Sequence, residues 1–154
     1  MLYFPARAVD AAETRDAVGL IPPTVLVIDD EAAVLATLET ILEGYGFQVV
    51  TARNGEQGLM AFRNALPDVV VTDIVMPKKD GIEAIRDMRR ERPAANIIAM
   101  SGGGRIGTTD FATLATKLGA DIGLQKPFES DELLDAIVTL LAVRCRPALA
   151  TAAA

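Results

Sequence analysis

Short apolar runs that end in polar side chains are the features of this sequence most able to support chemistry. The stretch VLVIDDE, residues 25–31, places three carboxylates directly behind an apolar run. Like charges at the end of a buried strand repel one another, so these carboxylates need a cationic partner. Two further runs end in Asp73 (DVVVTD) and Ser101 (NIIAMS), and Lys126 follows a shorter run, DIGLQ. Whether these side chains form one site depends on the elements that carry them.

Apolar runs alternate with helical patterns from residue 24 to about residue 142. Strands are predicted at 24–28, 47–52, 68–73, 96–101 and 121–125, and helices at about 34–44, 55–64, 82–90, 109–118 and from 130 onward, the last capped by Ser130. Alternation of this kind predicts an α/β fold with a parallel sheet covered by helices on both faces. We expect a doubly wound five-stranded sheet of order 2-1-3-4-5, a flavodoxin-like (βα)5 three-layer sandwich.

The predicted strand order brings the polar strand ends together. Strands one and three are neighbours at the point where the order reverses, and adjacent strands lie about 4.8 Å apart. Asp29, Asp30 and Asp73 should therefore lie within a few ångströms of one another. Lys126, about two strand spacings (~10 Å) away, is long enough to cover most of that gap. Three carboxylates form a hard, all-oxygen site suited to Mg²⁺. A single strand-end aspartate could equally cap a helix or stay solvated, but the coincidence of four polar strand ends favours a site.

The composition excludes several other kinds of function. The chain of 154 residues contains no histidine, which rules out a Ser-His-Asp triad and an imidazole-based zinc site. Its net charge of −6 argues against general affinity for nucleic acid. One cysteine, Cys145, cannot form an intramolecular disulfide, which favours a cytoplasmic location. No apolar run approaches the ~20 residues of a membrane span, and the first residues do not resemble a signal peptide.

Four stretches together resemble the receiver domain of two-component response regulators: VLVIDDE, VVVTDIVMPKKDG, IIAMSG and LQKPF, in that order. The resemblance covers residues 24–142 and implies a phosphoacceptor rather than an enzyme, with at most slow self-dephosphorylation. By this resemblance Asp73 accepts a phosphoryl group from a histidine kinase or histidine phosphotransfer protein. Asp30, Asp73 and the backbone carbonyl of Val75 would hold Mg²⁺, with Asp29 assisting through a water. Ser101 and Lys126 would contact the phosphoryl group.

Two features depart from the family pattern. Receivers usually carry a bulky residue three positions before the lysine, where this chain has Gly123, so the usual side-chain relay to the face around the fifth strand is in doubt. The loop Gly102–Gly107 is unusually rich in glycine and matches G-x-G-x-x-G, but it follows the fourth strand rather than the first. Two alternatives therefore stay open: a phosphorylation-independent interaction module, and a small nucleotide-binding protein that uses this loop.

The domain organisation predicted from the sequence is simple. Residues 1–23, which end in Pro22-Pro23, form a poorly ordered N-terminal extension, residues 24–142 form the receiver, and residues 143–154 form a C-terminal tail. The tail is too short for an output module, so the chain is expected to be a stand-alone receiver whose output is altered protein-protein contact. Direct DNA binding and membrane association are not expected, and a homodimer is compatible with this interpretation. The basic pairs Lys78-Lys79 and Arg89-Arg90 are expected to be solvated surface.

Overall fold

The computed structural model describes residues 21–76, 81–102 and 115–153, with side chains described as far as residue 142. Residues 1–20, for which the sequence predicts poor order, lie outside these ranges, as do the glycine loop beyond Gly102 and residues 109–114 of the predicted helix 109–118. The rest of that predicted helix is described, and residues 115–117 of it are helical. The strands are β1 (Thr24–Ile28), β2 (Gln48–Ala52), β3 (Val69–Asp73), β4 (Ile97–Ser101) and β5 (Ile122–Gln125). The helices are α1 (Ala32–Gly44), α2 (Gly55–Ala65), α3 (Gly81–Glu91) and α4 (Ser130–Ala153).

The five strands form one sheet in the order β2-β1-β3-β4-β5, and every neighbouring pair is parallel. The predicted fold class and strand order are therefore confirmed. Both bounds of every strand lie within one residue of the predicted bounds. Because β1 lies between β2 and β3, the strand order reverses between β1 and β3, where ligands of doubly wound sheets bind.

The central strands of the sheet are covered on both faces, and they are polar only at their C-terminal ends. Every residue of β3 and β4 is buried. Alternate residues of each strand enter different cores, as the two-residue period of a strand requires. One core joins Leu26, Ile28 and Val70 to α2 and α3 through Phe62, Ile85 and Met88. The other joins Val25, Val27 and Val71 to α1 and α4 through Leu35, Leu38, Leu133 and Ile137.

Local hydrogen bonds set where the helices begin and end. The Asn54 side chain accepts a hydrogen bond from Gln57 N at 2.9 Å, and the Gln57 side chain accepts one from Arg53 N at 3.0 Å, which together cap α2. The predicted Asn54-Gly55 turn into this helix is confirmed. At the start of α4 the cap position falls on Glu129 rather than on Ser130, since Glu129 O accepts from Glu132 N.

At the N-terminal ends of the strands, charged side chains hold neighbouring segments together through hydrogen bonds to backbone groups. Asp68 accepts a hydrogen bond from Thr24 N at 2.8 Å, and Asp121 accepts one from Ile97 N at 2.8 Å. Arg89 donates to the carbonyl of Gly119 at 2.7 Å and to Asp121 at 3.0 Å. Arg89 also donates to Pro93 O and Ala95 O.

The prediction that Arg89 is solvated surface is therefore wrong. Its side chain is 25% exposed, whereas that of Arg90 is 81% exposed, as predicted. A pair of adjacent arginines on a helix points in two directions about 100° apart, and only Arg89 faces the neighbouring loops. The pair Lys78-Lys79 lies outside the described residues.

The last helix is longer than the sequence predicts. Its backbone stays helical through Pro147 to Ala153, where the sequence predicts a tail from residue 143. Leu, Ala and Arg around the proline are strong helix formers, which outweigh one breaker. In the parts of the chain that the structure describes, no helix is both long and apolar enough to cross a membrane.

Candidate phosphoacceptor and metal site

The carboxylate of Asp29 lies at the end of β1 and is completely buried. Its Oδ1 accepts a hydrogen bond from Glu31 N at 2.9 Å, and its Oδ2 accepts one from Lys126 Nζ at 2.7 Å. Its own N–H donates to Ala52 O at 3.1 Å, which continues the β1–β2 ladder by one residue. Both oxygens of Asp29 are thus engaged within the protein.

Asp73 ends β3 and is 6% exposed. The N–H of the next residue, Ile74, donates to Met100 O at 3.0 Å, which ties the end of β3 to β4. The preceding residue, Thr72, is buried and donates its hydroxyl to Asp73 O at 3.0 Å. These two hydrogen bonds hold the backbone on either side of Asp73 in place.

Lys126 reaches the carboxylates from the end of β5. Its Nζ lies 2.7 Å from Asp29 Oδ2 and 3.7 Å from Asp73 Oδ2, so the predicted reach across two strand spacings is confirmed. Its backbone N–H donates to Ser101 O at 2.6 Å. Ser101 itself is buried at the end of β4 and lies one residue beyond the Met100 that pairs with Asp73.

Three carboxylates form a compact group of the kind that holds a divalent cation. Asp29, Asp30 and Asp73 can each place one oxygen so that all three oxygens lie within 4.8 Å of one another. Glu31, the third acid of the sequence run, is exposed and does not belong to this group of described residues. Hard oxygen donors with a net negative charge fit Mg²⁺. Both oxygens of Asp29 already accept hydrogen bonds, which agrees with the prediction that Asp30 and Asp73 rather than Asp29 would be the direct ligands.

The electrostatics of the pocket disfavour a third ionised carboxylate without a further cation. Burial raises the pKa of Asp73 above its ordinary value, and the Asp29 charge raises it further. Lys126 and the backbone N–H groups of Val75 and Ile74 oppose this rise in pKa without cancelling it. Burial alone would lower the pKa of Lys126, but the hydrogen bond to Asp29 and the charges of Asp73, Asp29 and Glu31 together raise it. The lysine is therefore a firmly charged partner in an acid-rich pocket.

A groove of about 530 Å³ runs beside the carboxylates, between α1 and the segment that follows β5. We refer to it as the α1 groove. One wall carries Val34, Thr37 and Leu38 of α1, and the other carries Lys126, Pro127 and Phe128. Lys126 belongs both to this wall and to the carboxylate pocket, so the groove and the pocket share one side chain.

Gly81 is a residue of the site whose role the sequence does not reveal. It is the last residue of the stretch VVVTDIVMPKKDG, and its N–H donates to Ile74 O at 2.8 Å. A Cβ at this position would lie 2.7 Å from Ile74 Cα and 2.9 Å from Asp73 C. The motif position of this glycine is visible in the sequence, but its contact with the β3 backbone is not.

The remaining predicted residues lie where the strand order implies. Gly123 of β5 pairs with Ala99 of β4, so neither residue of this pair carries a side chain larger than a methyl group. Val75 follows β3 and is 76% exposed. The liganding role of its carbonyl, like the assignment of individual functions to Asp73, Ser101 and Lys126, remains a prediction.

The fold and the site together define a doubly wound α/β domain with an acid pocket and a lysine at its topological switch point. The chain belongs to the response regulator receiver domain family, which matches residues 25–138. Among solved structures, a response regulator receiver domain protein from Clostridium thermocellum is 35% identical, with a TM-score of 0.73 over 79% of this chain and 96% of that chain.

A second solved structure, the CheX-CheY-BeF3-Mg²⁺ complex from Borrelia burgdorferi, contains a chain that is 26% identical, with a TM-score of 0.73, over 81% of this chain and 93% of that chain. Among curated proteins, the probable transcriptional regulator ycf27 of Pyropia yezoensis is 39% identical over 109 residues, which are 71% of this chain. The chain spans 43% of the length of that relative.

Proposed function

We propose that this chain is the phosphoacceptor of a two-component signalling pathway and that Asp73 receives the phosphoryl group. The observation that carries the proposal is the convergence of Asp29, Asp30 and Asp73 with Lys126 at the switch point of the sheet. The domain that performs this function is proposed to span residues 24–142. We assign it a signalling role rather than that of an enzyme, with at most slow hydrolysis of its own phosphoryl group.

The pocket is proposed to bind Mg²⁺ through Asp30, Asp73 and the carbonyl of Val75, with Asp29 acting through a water. A bound Mg²⁺ would supply positive charge to the phosphoryl oxygens, whose transition state is loose and rich in negative charge. The net charge of the pocket supports this assignment, since three carboxylates face one lysine in the part of the chain that the structure describes. The similarity to a chain of a complex that contains BeF3 and Mg²⁺ gives independent support.

The residues of the chain would divide the transfer among them. An oxygen of the Asp73 carboxylate forms the new bond to phosphorus while the bond from phosphorus to the donor histidine breaks, and the histidine nitrogen takes up a proton. Lys126 Nζ, 3.7 Å from Asp73 Oδ2, would pair with a phosphoryl oxygen. Ser101, at the end of the adjacent strand, would donate a hydrogen bond to another. Catalysis here rests on positioning and charge.

The phosphodonor is proposed to be a histidine kinase or a histidine phosphotransfer protein that approaches along the α1 groove. The walls of this groove are largely apolar and include Lys126, so a donor helix packed in it could present a histidine to Asp73. The output would be altered contact with a protein partner, without direct DNA binding by these residues. A cytoplasmic location and a homodimer remain predictions from the sequence.

Ordering of the glycine loop is our proposal for the output step. With Gly123 opposite Ala99, β5 has no bulky side chain to rotate at this register. A phosphoryl group that draws Ser101 inward would act on the segment that begins at Gly102. Apart from Gly102 and residue 115 onward, that segment lies outside the described residues. Hydrogen exchange in the presence of a phosphoryl mimic should show increased protection in residues 102–111, and an unchanged loop with a responding β5 and α4 would refute the mechanism.

One alternative function is favoured by a specific observation. A phosphorylation-independent interaction module would need no relay side chain, which agrees with Gly123. The complete acid pocket speaks against it, because an unused pocket with this much like charge would only destabilise the domain. The nucleotide-binding alternative rests on the Gly102–Gly107 loop, most of which lies outside the described residues.

Intact mass spectrometry after incubation with Mg²⁺ and acetyl phosphate tests the proposal. The mass of the wild type should rise by one phosphate, and Asp73→Asn should remain unmodified. Asp131→Asn makes the same chemical change at an exposed residue of α4 and serves as the matched control that keeps the adduct. An unmodified wild type would support the phosphorylation-independent alternative, and an adduct on Asp73→Asn would refute the choice of Asp73.

A further inference from the structure

A second pocket, of about 390 Å³, lies at the end of the domain away from the carboxylates, beside the N-terminal ends of β4 and β5. We refer to it as the basic pocket. It is lined by Arg86, Arg89, Arg90, Lys117, Leu118 and Gly119. Four cationic side chains around one pocket are unexpected in a chain whose net charge is −6.

Arg89 forms a fixed wall of the basic pocket. Its Nε and Nη2 donate to Gly119 O, its Nη1 donates to Pro93 O and Ala95 O, and its Nη2 also donates to Asp121. These five hydrogen bonds match the five N–H donors of a guanidinium group. Arg89 therefore connects the two walls of the pocket and leaves the binding of a ligand to the other three cations.

Those three cations are exposed. Arg86 and Lys117 form no ion pair with any residue that the structure describes. Arg90 is 81% exposed, and its contact with Asp87 is long, at 3.9 Å. Arg86 and Arg90 lie four residues apart on α3, so they are neighbours on one face of this helix. Lys117 approaches from the opposite wall.

The dipole of α3 explains only some of these charges. Cations in the last turn of a helix interact favourably with its dipole, which accounts for Arg89 and Arg90. Arg86 lies one turn earlier, where this effect has faded. Like charges at i and i+4 on a helix are destabilising, so Arg86 beside Arg90 has a cost in the free protein. An anion bound between the two would replace this repulsion with attraction.

We propose that the basic pocket binds the phosphate groups of a small molecule. The planar fork of a guanidinium group matches phosphate oxygens, and Arg86 and Arg90 present two such forks one helical turn apart. The volume of the pocket falls in the range of ~300–1,000 Å³ that is typical of small-molecule sites. Half-buried Leu118 adds apolar surface for the rest of the ligand.

Two features of the chain define this proposal further. Nucleic acid is disfavoured as the ligand, because a chain of net charge −6 repels an extended polyanion outside the pocket. The basic pocket shares no described residue with the carboxylate group of Asp29, Asp30 and Asp73. The proposed binding is therefore separate from phosphoryl transfer to Asp73.

NMR titration with pyrophosphate tests the proposal, in EDTA so that no metal enters the carboxylate pocket. Saturable shifts should appear at the amides of residues 86–90 and 117–119, with a Kd of about 0.1 mM. Arg86→Gln and Lys117→Gln should each weaken binding about tenfold, the effect of losing one hydrogen bond to a charged group. Both side chains are exposed, so circular dichroism should show wild-type folding.

Arg53→Gln is the matched control, because it removes the same charge from an exposed residue at the other end of the strands. Charges that far apart are screened by salt, so its affinity should stay within about twofold of the wild type. Asp73→Asn should also retain wild-type binding. A wild type that binds pyrophosphate but takes no phosphoryl group would overturn the proposed function and leave this inference supported.

Four results would overturn the inference. The first is a wild type without saturable shifts. The second is an equal loss of affinity in Arg86→Gln and Arg53→Gln, which would indicate attraction to overall charge. The third is a set of shifts centred on Asp29 and Lys126, which would place pyrophosphate in the carboxylate pocket. The fourth is tighter binding of a hexaglutamate peptide than of pyrophosphate, which would assign the pocket to an acidic protein segment.

Discussion

Replacing Asp73 with asparagine should make the metal-free protein more stable at neutral pH. Asp73 has an oxygen within 4.8 Å of oxygens of both Asp29 and Asp30, and it lies 3.7 Å from Lys126, the one cation that the described residues place beside it. At an effective dielectric constant of about 20, each repulsion is about 3.5 kcal/mol and the attraction about 4.5 kcal/mol. The balance is repulsive by about 2.5 kcal/mol, and solvent around the half-buried Asp30 reduces it, so we expect a gain of about 1–2 kcal/mol.

The pH dependence follows from the raised pKa of Asp73. The folded state holds the proton of this carboxyl more tightly than the unfolded chain does. The contribution of Asp73 to the free energy of unfolding is therefore largest below its ordinary pKa of about 3.9 and declines as the pH rises through the raised value. The advantage of Asp73→Asn over the wild type should appear above that range and vanish at lower pH.

Urea denaturation followed by circular dichroism, in EDTA and in saturating Mg²⁺, measures the effect. Bound Mg²⁺ should stabilise the wild type more than Asp73→Asn, because the variant lacks one ligand charge. The control Asp131→Asn should change the free energy of unfolding by less than about 0.5 kcal/mol. A variant that is less stable than the wild type in EDTA, or one that gains as much from Mg²⁺, would show that the pocket is not repulsive.

Three further predictions concern single residues. Asp30→Ala should weaken Mg²⁺ binding more than Asp29→Ala in calorimetric titration, because Asp29 already accepts two protein hydrogen bonds; equal affinities would contradict this. Lys126→Met should lower the free energy of unfolding, measured by urea denaturation, by about 3 kcal/mol in EDTA and by less in Mg²⁺, because it leaves Asp29 buried without its cation. Equal losses in both conditions would contradict this prediction. In urea denaturation, Arg89→Met should lower the free energy of unfolding by about 2 kcal/mol, whereas Arg90→Met should lower it by less than about 0.5 kcal/mol. Equal effects would refute the role of Arg89 in holding the neighbouring loops.

The fold could be predicted because its signals are local and repeated. Five apolar runs with intervening helical periodicity fix the alternation of elements, and they fix the bounds of the strands to within one residue. The meeting of Asp29, Asp73 and Lys126 also follows, since strand order and strand spacing alone determine it. What the sequence could not supply is the direction of individual side chains and peptide units.

Arg89 and Gly81 illustrate that gap. Arg89 looks like its neighbour Arg90 in the sequence, and only the packing of α3 against the loop before β5 distinguishes the two. Gly81 looks like an ordinary turn glycine until the backbone of Asp73 and Ile74 is seen to fill the space of its missing side chain. The helical path of the chain beyond Pro147 was likewise missed, because a proline is read locally as a stop.

Aspartates lie at both ends of the strands but have opposite effects on stability, and this separation has a consequence for engineering. Asp68 and Asp121 at the N-terminal edge each accept a hydrogen bond from the backbone of a neighbouring strand, so their charges reinforce the fold. Asp29, Asp30 and Asp73 at the other edge crowd against one another. A designer who needs a more heat-resistant signalling domain can therefore add pairings around Asp68, Asp121 and Arg89, a full strand length from the chemistry, and leave the reactive edge untouched.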